Sequence, residues 1–181
     1  MKIGIINTYT SNIRSVTNAV KFLGYNNFKT ITENTEEKFT HIIMPGNGNF
    51  KSNMDIINKN KLDVLIKDHF IKNGFFLGIC VGMQILGNTS DEGCLKGLGW
   101  IDGDIKKIKF ESEDMLPLPH MGWNDVNIKK NSKLFFNLES NPSFYFLHSF
   151  YFDCDDKSNE IANVEYVNKM TCAIRKNNIY G

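Results

Sequence analysis

Residues 75–87 read Phe-Phe-Leu-Gly-Ile-Cys-Val-Gly-Met-Gln-Ile-Leu-Gly, an apolar run whose end is marked by a cysteine between two glycines. Five apolar or small residues, Phe75 to Ile79, suit a strand buried on both faces, and Val81 to Leu86 can begin a helix. A strand, a Gly-x-nucleophile-x-Gly turn and a helix in that order form a nucleophile elbow. Such a turn lifts its central side chain out of the sheet, and Gly78 and Gly82 let the backbone fold closely around it. Cys80 would then stand beside a helix N-terminus, whose dipole favours a thiolate. The same turn aims the Val81 N–H at any oxyanion formed when the thiolate attacks a carbonyl. The competing reading of Cys80 is a small hydrophobe closing a buried strand.

The segments on either side fit one α/β domain. Residues 2–7, Lys-Ile-Gly-Ile-Ile-Asn, are a short apolar run that suits a first buried strand. Thr10, Ser11 and Asn12 are N-cap candidates for a helix carrying Ile13, Val16, Val20 and Leu23 at helical spacing, ended by Gly24. Phe28 to Ile31 reads as a second strand, and His41-Ile42-Ile43-Met44 as a third, broken at Pro45-Gly46. Leu62, Leu65, Ile66, His69 and Phe70 share one face of a further helix, with Gly74 as its C-cap. Alternation of strand and helix predicts a largely parallel central sheet with helices on both faces. After Gly97 the pattern changes to strands separated by polar turns: 100–110, 123–128, 144–152, 160–167 and 170–176. The second half is predicted to be a mixed or antiparallel strand extension of the same domain.

The bulk properties exclude several classes of function. The chain has 181 residues, enough for one core, and its 41% hydrophobic and 23% charged residues are ordinary for a globular domain. A net charge of +1 makes no electrostatic case for nucleic acid or a membrane surface. No apolar run is long enough to span a bilayer, and Met1-Lys2-Ile3-Gly4 enters the first strand without a signal region, so a cytoplasmic protein is expected. Cys80, Cys94, Cys154 and Cys172 include no Cys-x-x-Cys pair, so neither a zinc ribbon nor a thioredoxin-like site is supported.

Further segments bear on the elbow. Pro45-Gly46-Asn47-Gly48 also follows a strand, so it would reach the same sheet edge, where a peptide N–H could be a second oxyanion donor; it also fits an ordinary turn. Gln84 lies four residues beyond Cys80, and Glu92 sits in a polar loop; solvated side chains are the plain alternative for both. Pro119-His120-Met121-Gly122-Trp123-Asn124 reads as a loop-like stretch, either a core patch or an exposed surface for a partner. His148 lies in an aromatic strand, where a packed and hydrogen-bonded histidine is the ordinary case. His41 and His69 read as structural.

Taken together, Leu77-Gly78-Ile79-Cys80-Val81-Gly82-Met83-Gln84, Met44-Pro45-Gly46-Asn47-Gly48, Leu118 to Asn124 and Phe146 to Phe150 resemble the class I, triad-type glutamine amidotransferases. Within that class they are most similar to the glutaminase subunits of imidazole glycerol phosphate synthase, from Met1 to Gly181. The resemblance implies the three-layer α/β fold of that class, and no cofactor or metal. It implies glutamine hydrolysis through a cysteine thioester, with Cys80 as nucleophile and the backbone N–H groups of Asn47 and Val81 as oxyanion donors. Gly48, Gln84, Glu92, His148 and Ser149 match positions around the bound glutamine, and Tyr145 could wall that site. It further implies ammonia transfer to a (β/α)₈-barrel cyclase that closes an imidazole ring in histidine biosynthesis. Asn12, Pro119, His120, Met121, Trp123 and Asn124 would face that partner.

Two stretches depart from the family. Asn7-Thr8-Tyr9-Thr10-Ser11-Asn12 replaces an Asp-Tyr-Gly-Met-Gly-Asn-like run, and Asn47 replaces an aliphatic residue. The family's base comes from a His-Pro-Glu motif shortly after an Ile-Tyr-Gly-like strand start, and Ile179-Tyr180-Gly181 close this sequence. The expectation is therefore one amidotransferase domain over 1–181, short of the segment with the His-x-Glu part of the triad. Alternative readings are a paralogue supplying ammonia for amidination of a surface sugar, and a docking module without turnover. A hydrolase of another α/β family with a cysteine elbow and a different base is a third.

Overall fold

The computed structural model describes residues 1–110, 116–129, 132–138 and 141–181. They form two compact units, one from residues 1–86 with 176–181 and one from residues 87–175.

The first unit is built on a five-stranded sheet. Its strands are β1 (Ile3–Ile6), β2 (Phe28–Ile31), β3 (His41–Gly46), β4 (Phe75–Cys80) and β13 (Ile179–Tyr180), in the order β2-β1-β3-β4-β13. Every pair is parallel. Register decides which side each residue faces, because residues paired across strands share a face and neighbours along a strand alternate. Ile5 pairs with Ile43 and Ile43 with Leu77, whereas Gly4 pairs with Ile42 and Ile42 with Phe76. Helix α1 (Ile13–Phe22) packs Ile13, Val16 and Val20 on the Ile3/Ile5/Ile43 side. Helices α2 (Phe50–Lys59) and α3 (Leu62–Ile71) precede β4, and Phe70 of α3 meets Phe76 edge-on, 5.0 Å between ring centres. That contact puts α3 on the opposite side, so the unit has the expected helices on both faces.

Local signals account for most of these boundaries. Asn12 caps α1 by accepting from the Ser15 N–H at 3.3 Å, and all five residues expected on the inner face of α3 are buried. Gly74 is not the C-cap that its position suggests. The left-handed residue that ends α3 is Asn73, at φ 55°. Gly74 is required for a different reason: a Cβ there would lie 2.1 Å from the His69 ring. That ring is buried and bonds the Phe75 carbonyl through Nε2 at 2.9 Å, tying the end of α3 to the start of β4.

Helix α4 (Val81–Gln84) is only one turn long. Its macrodipole is correspondingly small, and backbone N–H groups, more than an extended dipole, are what it offers to a nearby anion.

The second unit holds β5 (Thr89–Ser90), β6 (Leu95–Lys96), β7 (Gly103–Lys107), β8 (His120–Ile128), β9 (Ser143–His148), β10 (Phe150–Cys154), β11 (Glu160–Glu165) and β12 (Lys169–Lys176). The pairings are antiparallel except for β5 with β7, which is the expected strand-rich extension. Two sequence expectations shift. The run from Phe144 to Phe152 is two strands separated at Ser149, and residues 120–124 are strand instead of loop. His120 to Asp125 pair one by one with His148 to Ser143, so cross-strand bonding organises a segment that looks irregular in isolation. Among the described residues no helix is long and apolar enough to cross a membrane.

Candidate active site

The elbow is visible in the backbone. Cys80 ends β4 with φ 58° and ψ −118°, a conformation that L side chains avoid, and its side chain is exposed. Close packing holds it there. Added Cβ atoms at Gly78 and Gly82 would lie 2.3 Å from the Gly82 carbonyl oxygen and 1.9 Å from the Met44 carbonyl oxygen. One at Gly46 would lie 2.5 Å from the Gly82 nitrogen. The end of β3 and the elbow therefore touch backbone to backbone, and Gly46 pairs in register with Cys80. Sequence spacing brings Cys80 and Val81 together; strand register adds the loop after β3.

That loop has a defined form. Gly48 adopts φ 74°, and its N–H donates to the Asn47 side-chain oxygen at 2.8 Å. Asn49 caps α2 by accepting from the Ser52 N–H at 2.8 Å. Gln84 is buried, 7% exposed, so it is no solvated surface glutamine. The other three cysteines differ from Cys80 in kind: Cys154 is buried, Cys172 half-buried, and burial pushes both thiols up to about 12, while Cys94 is exposed on a turn.

Glu92, Tyr145, His148 and Ser149 belong to the second unit. Glu92 follows β5, and its N–H donates to the Ser90 hydroxyl at 3.1 Å. Ser149 sits at the break between β9 and β10, where its carbonyl accepts from the Ile108 N–H at 3.0 Å. His148 is held at both ring nitrogens: Nδ1 lies 2.9 Å from the Phe150 carbonyl and Nε2 lies 2.9 Å from His120 Nδ1. His120 Nε2 in turn lies 3.3 Å from the Asn124 amide nitrogen, which also donates to the Glu165 carbonyl at 2.8 Å. The chain of bonds fixes every proton: His148 donates from Nδ1, His120 donates from Nδ1, and Asn124 donates to His120. Both imidazoles are neutral in this arrangement. Burial lowers the affinity of both for a proton, and for His120 the neighbouring His148 adds to the effect.

The segment from Pro119 to Asn124 divides by strand alternation. His120 is 2% exposed, sandwiched between Phe146 and Tyr166 at 4.8 and 4.1 Å. Met121 and Trp123 point outward and are 63% and 74% exposed. Trp123 meets Tyr145 edge-on at 5.9 Å, and Met121 pairs with Leu147. The exposed side of the β8–β9 hairpin is therefore an apolar patch, and Tyr145 belongs to it.

Sequence reasoning passed over Asn53. It lies fully buried on α2 between Phe50, Met54 and Ile57, a polar residue inside an apolar 3-4-spaced stripe. That break in the stripe was the available signal.

Comparison with known proteins identifies the family. A profile of the family described as "Glutamine amidotransferase class-I" matches residues 4–181. The chain is similar to the imidazole glycerol phosphate synthase subunit HisH of Leptospira interrogans, 41% identical over 181 residues, covering 99% of this chain and 89% of that protein. It is also similar to subunit HisH 2 of Methanococcus maripaludis, 40% identical over 180 residues, covering 99% and 88%. Among solved structures, a glutamine amidotransferase shares its fold with a TM-score of 0.74 at 14% identity, covering 99% of this chain and 87% of that one. Another, from Thermotoga maritima, gives 0.69 at 14%, covering 100% and 74%. The chain belongs to the class I glutamine amidotransferases and, within them, to the HisH subunits of imidazole glycerol phosphate synthase.

Proposed function

We propose that Cys80 is the nucleophile with which this amidotransferase hydrolyses glutamine, and that its ammonia serves imidazole glycerol phosphate formation in histidine biosynthesis. The observation that carries the assignment is the strained backbone of Cys80, exposed at the end of β4 and enclosed by Gly46, Gly78 and Gly82. Folds retain such strain where it positions a reactive group.

In the proposed reaction, Cys80 Sγ attacks the carbonyl carbon of the glutamine side-chain amide. The Asn47 and Val81 N–H groups receive the negative charge that develops on its oxygen. A general base takes the thiol proton and returns it to the departing nitrogen, which leaves as ammonia. Water then cleaves the glutamyl thioester, releasing glutamate and restoring the thiol. Gly48, Gln84, Glu92, Tyr145, His148 and Ser149 are assigned to binding the glutamine. His120 and His148 are poor candidates for the base, since both ring nitrogens of each are engaged within the second unit.

The partner in this reading is a (β/α)₈-barrel cyclase, bound as a cytoplasmic heterodimer. The exposed side of β8–β9, with Met121 and Trp123 at its centre, supports a docking surface, since aromatic and methionine side chains are favoured in interface cores. Asn12 of the first unit, and Pro119, His120 and Asn124 of the second, are also assigned to partner binding, with His120 acting from behind the β8–β9 surface. The deciding experiment is Cys80→Ala in the assembled synthase. Glutamine-dependent turnover should disappear while turnover with free ammonium persists; retention of glutamine-dependent turnover would refute the assignment.

A further inference from the structure

Asn53 uses all of its side-chain hydrogen-bonding capacity on two loops of the first unit. Its amide group donates to the Asn47 and Asn49 carbonyls, each at 2.9 Å. Its Oδ1 accepts from the Thr8 and Thr10 hydroxyls at 2.8 and 2.9 Å. The two hydroxyl oxygens are themselves 2.9 Å apart, so three oxygens form a triangle in which two protons fill two sides. Asn53 and Thr8 are both fully buried.

The consequence falls on the peptide between Gly46 and Asn47, which carries the Asn47 N–H. On one side Gly46 is wedged against the elbow, with no room for even a Cβ. On the other, the Asn47 carbonyl is held by Asn53, and the Gly48 N–H of the same peptide unit is held by the Asn47 side chain. The donor peptide is bracketed at both ends. The peptide that follows the donor is thus fixed, and the donor N–H is carried on the same Cα as that held carbonyl. The two carbonyls set the sense of the Asn53 amide, because a flipped amide would put its oxygen against them, and the threonine hydroxyls, able to donate or accept, satisfy its buried Oδ1.

We propose that Asn53, its oxygen satisfied by Thr8 and Thr10, is a positioning residue that fixes the Asn47 N–H for oxyanion stabilisation. This rests on the assignment of Cys80 and the Asn47 N–H made above. Asn53 never touches the glutamine; it acts through the backbone of Asn47. It also ties the loop after β1 to the loop after β3, two segments that depart together from the family's usual sequence.

The test is Asn53→Asp in the assembled synthase, a nearly isosteric change that turns two donors into acceptors facing the Asn47 and Asn49 carbonyls. A displaced oxyanion donor predicts a fall of about a hundredfold in kcat with glutamine. The glutamine KM, ammonium-dependent turnover and the alkylation rate of Cys80 by iodoacetamide should stay at wild-type values. A kcat at the wild-type level would overturn the proposal, as would parallel loss of ammonium-dependent turnover and melting temperature. If Asn53→Asp does not fold, Thr8→Val and Thr8→Ser decide: valine should lower the glutamine kcat and serine should restore it, and equal values overturn it. Cys80→Ala, assayed alongside, separates the two claims, since its failure to abolish glutamine turnover counts against Cys80 alone.

Discussion

The elbow of the first unit and the β8–β9 hairpin of the second hold their key residues by opposite means. At the elbow, backbone does the positioning: three glycines permit contacts that no Cβ would survive, and Cys80 is forced into an unfavourable conformation and exposed. In the hairpin, side chains do it. His148 and His120 are fixed through each other, a backbone carbonyl and Asn124, and the strands beneath are regular. A site fixed by backbone contact is intolerant of added atoms and indifferent to pH. A site fixed by imidazole hydrogen bonds tolerates volume changes better and depends on protonation.

Gly82→Ala challenges the backbone mode most directly. A methyl group 1.9 Å from the Met44 carbonyl oxygen forces β3 and the elbow apart. Overpacking of that kind, against backbone that cannot rotate away, should cost about 3 kcal/mol or more in urea denaturation. A loss of less than about 1 kcal/mol would show that the elbow yields easily.

Lys129→Met examines the side-chain mode in the second unit. Glu160 is buried; burial pushes its carboxyl up, but hydrogen bonds from Lys129, Thr171 and Asn163 outweigh that and hold it below the ordinary carboxylate value. Removing the ammonium should cost about 2 kcal/mol, less than for a fully enclosed pair because Lys129 is partly in water. Because the folded carboxyl is the stronger acid, its contribution is present above the unfolded value and lost as pH falls through the folded one. Glu160→Gln should flatten the acid limb of the stability curve.

The histidine pair gives the next prediction. Both imidazoles are held neutral, so the unfolded chain binds more protons than the native one below the ordinary value of 6.5. Their contribution is present above 6.5 and is lost as pH falls from there toward the folded values. His41 and His69 are lowered in the same sense, again by burial first. Melting temperature should therefore drop between neutral pH and about pH 5. His120→Phe with His148→Phe should shrink that drop, and an unchanged drop would mean that the pair carries a proton in the native state.

Smaller effects sharpen the contrast. Cys80→Gly removes the backbone strain and should raise stability by about 1 kcal/mol while glutamine turnover is lost. A drop in stability would show that the thiol packs more than it strains. Trp123→Ala should change stability by less than about 0.5 kcal/mol, because the ring is largely exposed. Its cost should appear as weaker cyclase binding, measured by titration calorimetry, and unchanged affinity would remove Trp123 from the proposed interface.

These two modes differ in how far they can be read from a linear sequence. The elbow could be read because its requirements are local: glycines two residues on either side of the cysteine, a strand before and a turn of helix after. The Asn12 cap and the inner stripe of α3 are local too, and both stand as expected. The end of α3 is not legible locally, because Asn73 and Gly74 can each take a left-handed angle; the need for glycine at 74 comes from the His69 ring packed against it. Residues 120–124 looked like a loop because proline, histidine and glycine weaken strand propensity; pairing with β9 overrides it.

Local sequence is enough to specify the parallel strand-helix layout of the first unit, the glycine-flanked cysteine turn and the class of protein that carries them. Tertiary structure decided which polar groups meet. Thr8 and Asn53 are 45 residues apart, and His120 and His148 are 28 apart. No spacing rule reaches across such distances, because strand register and helix docking choose the partners. A buried polar side chain must be satisfied by whatever that packing brings within 3 Å, as Asn53 is.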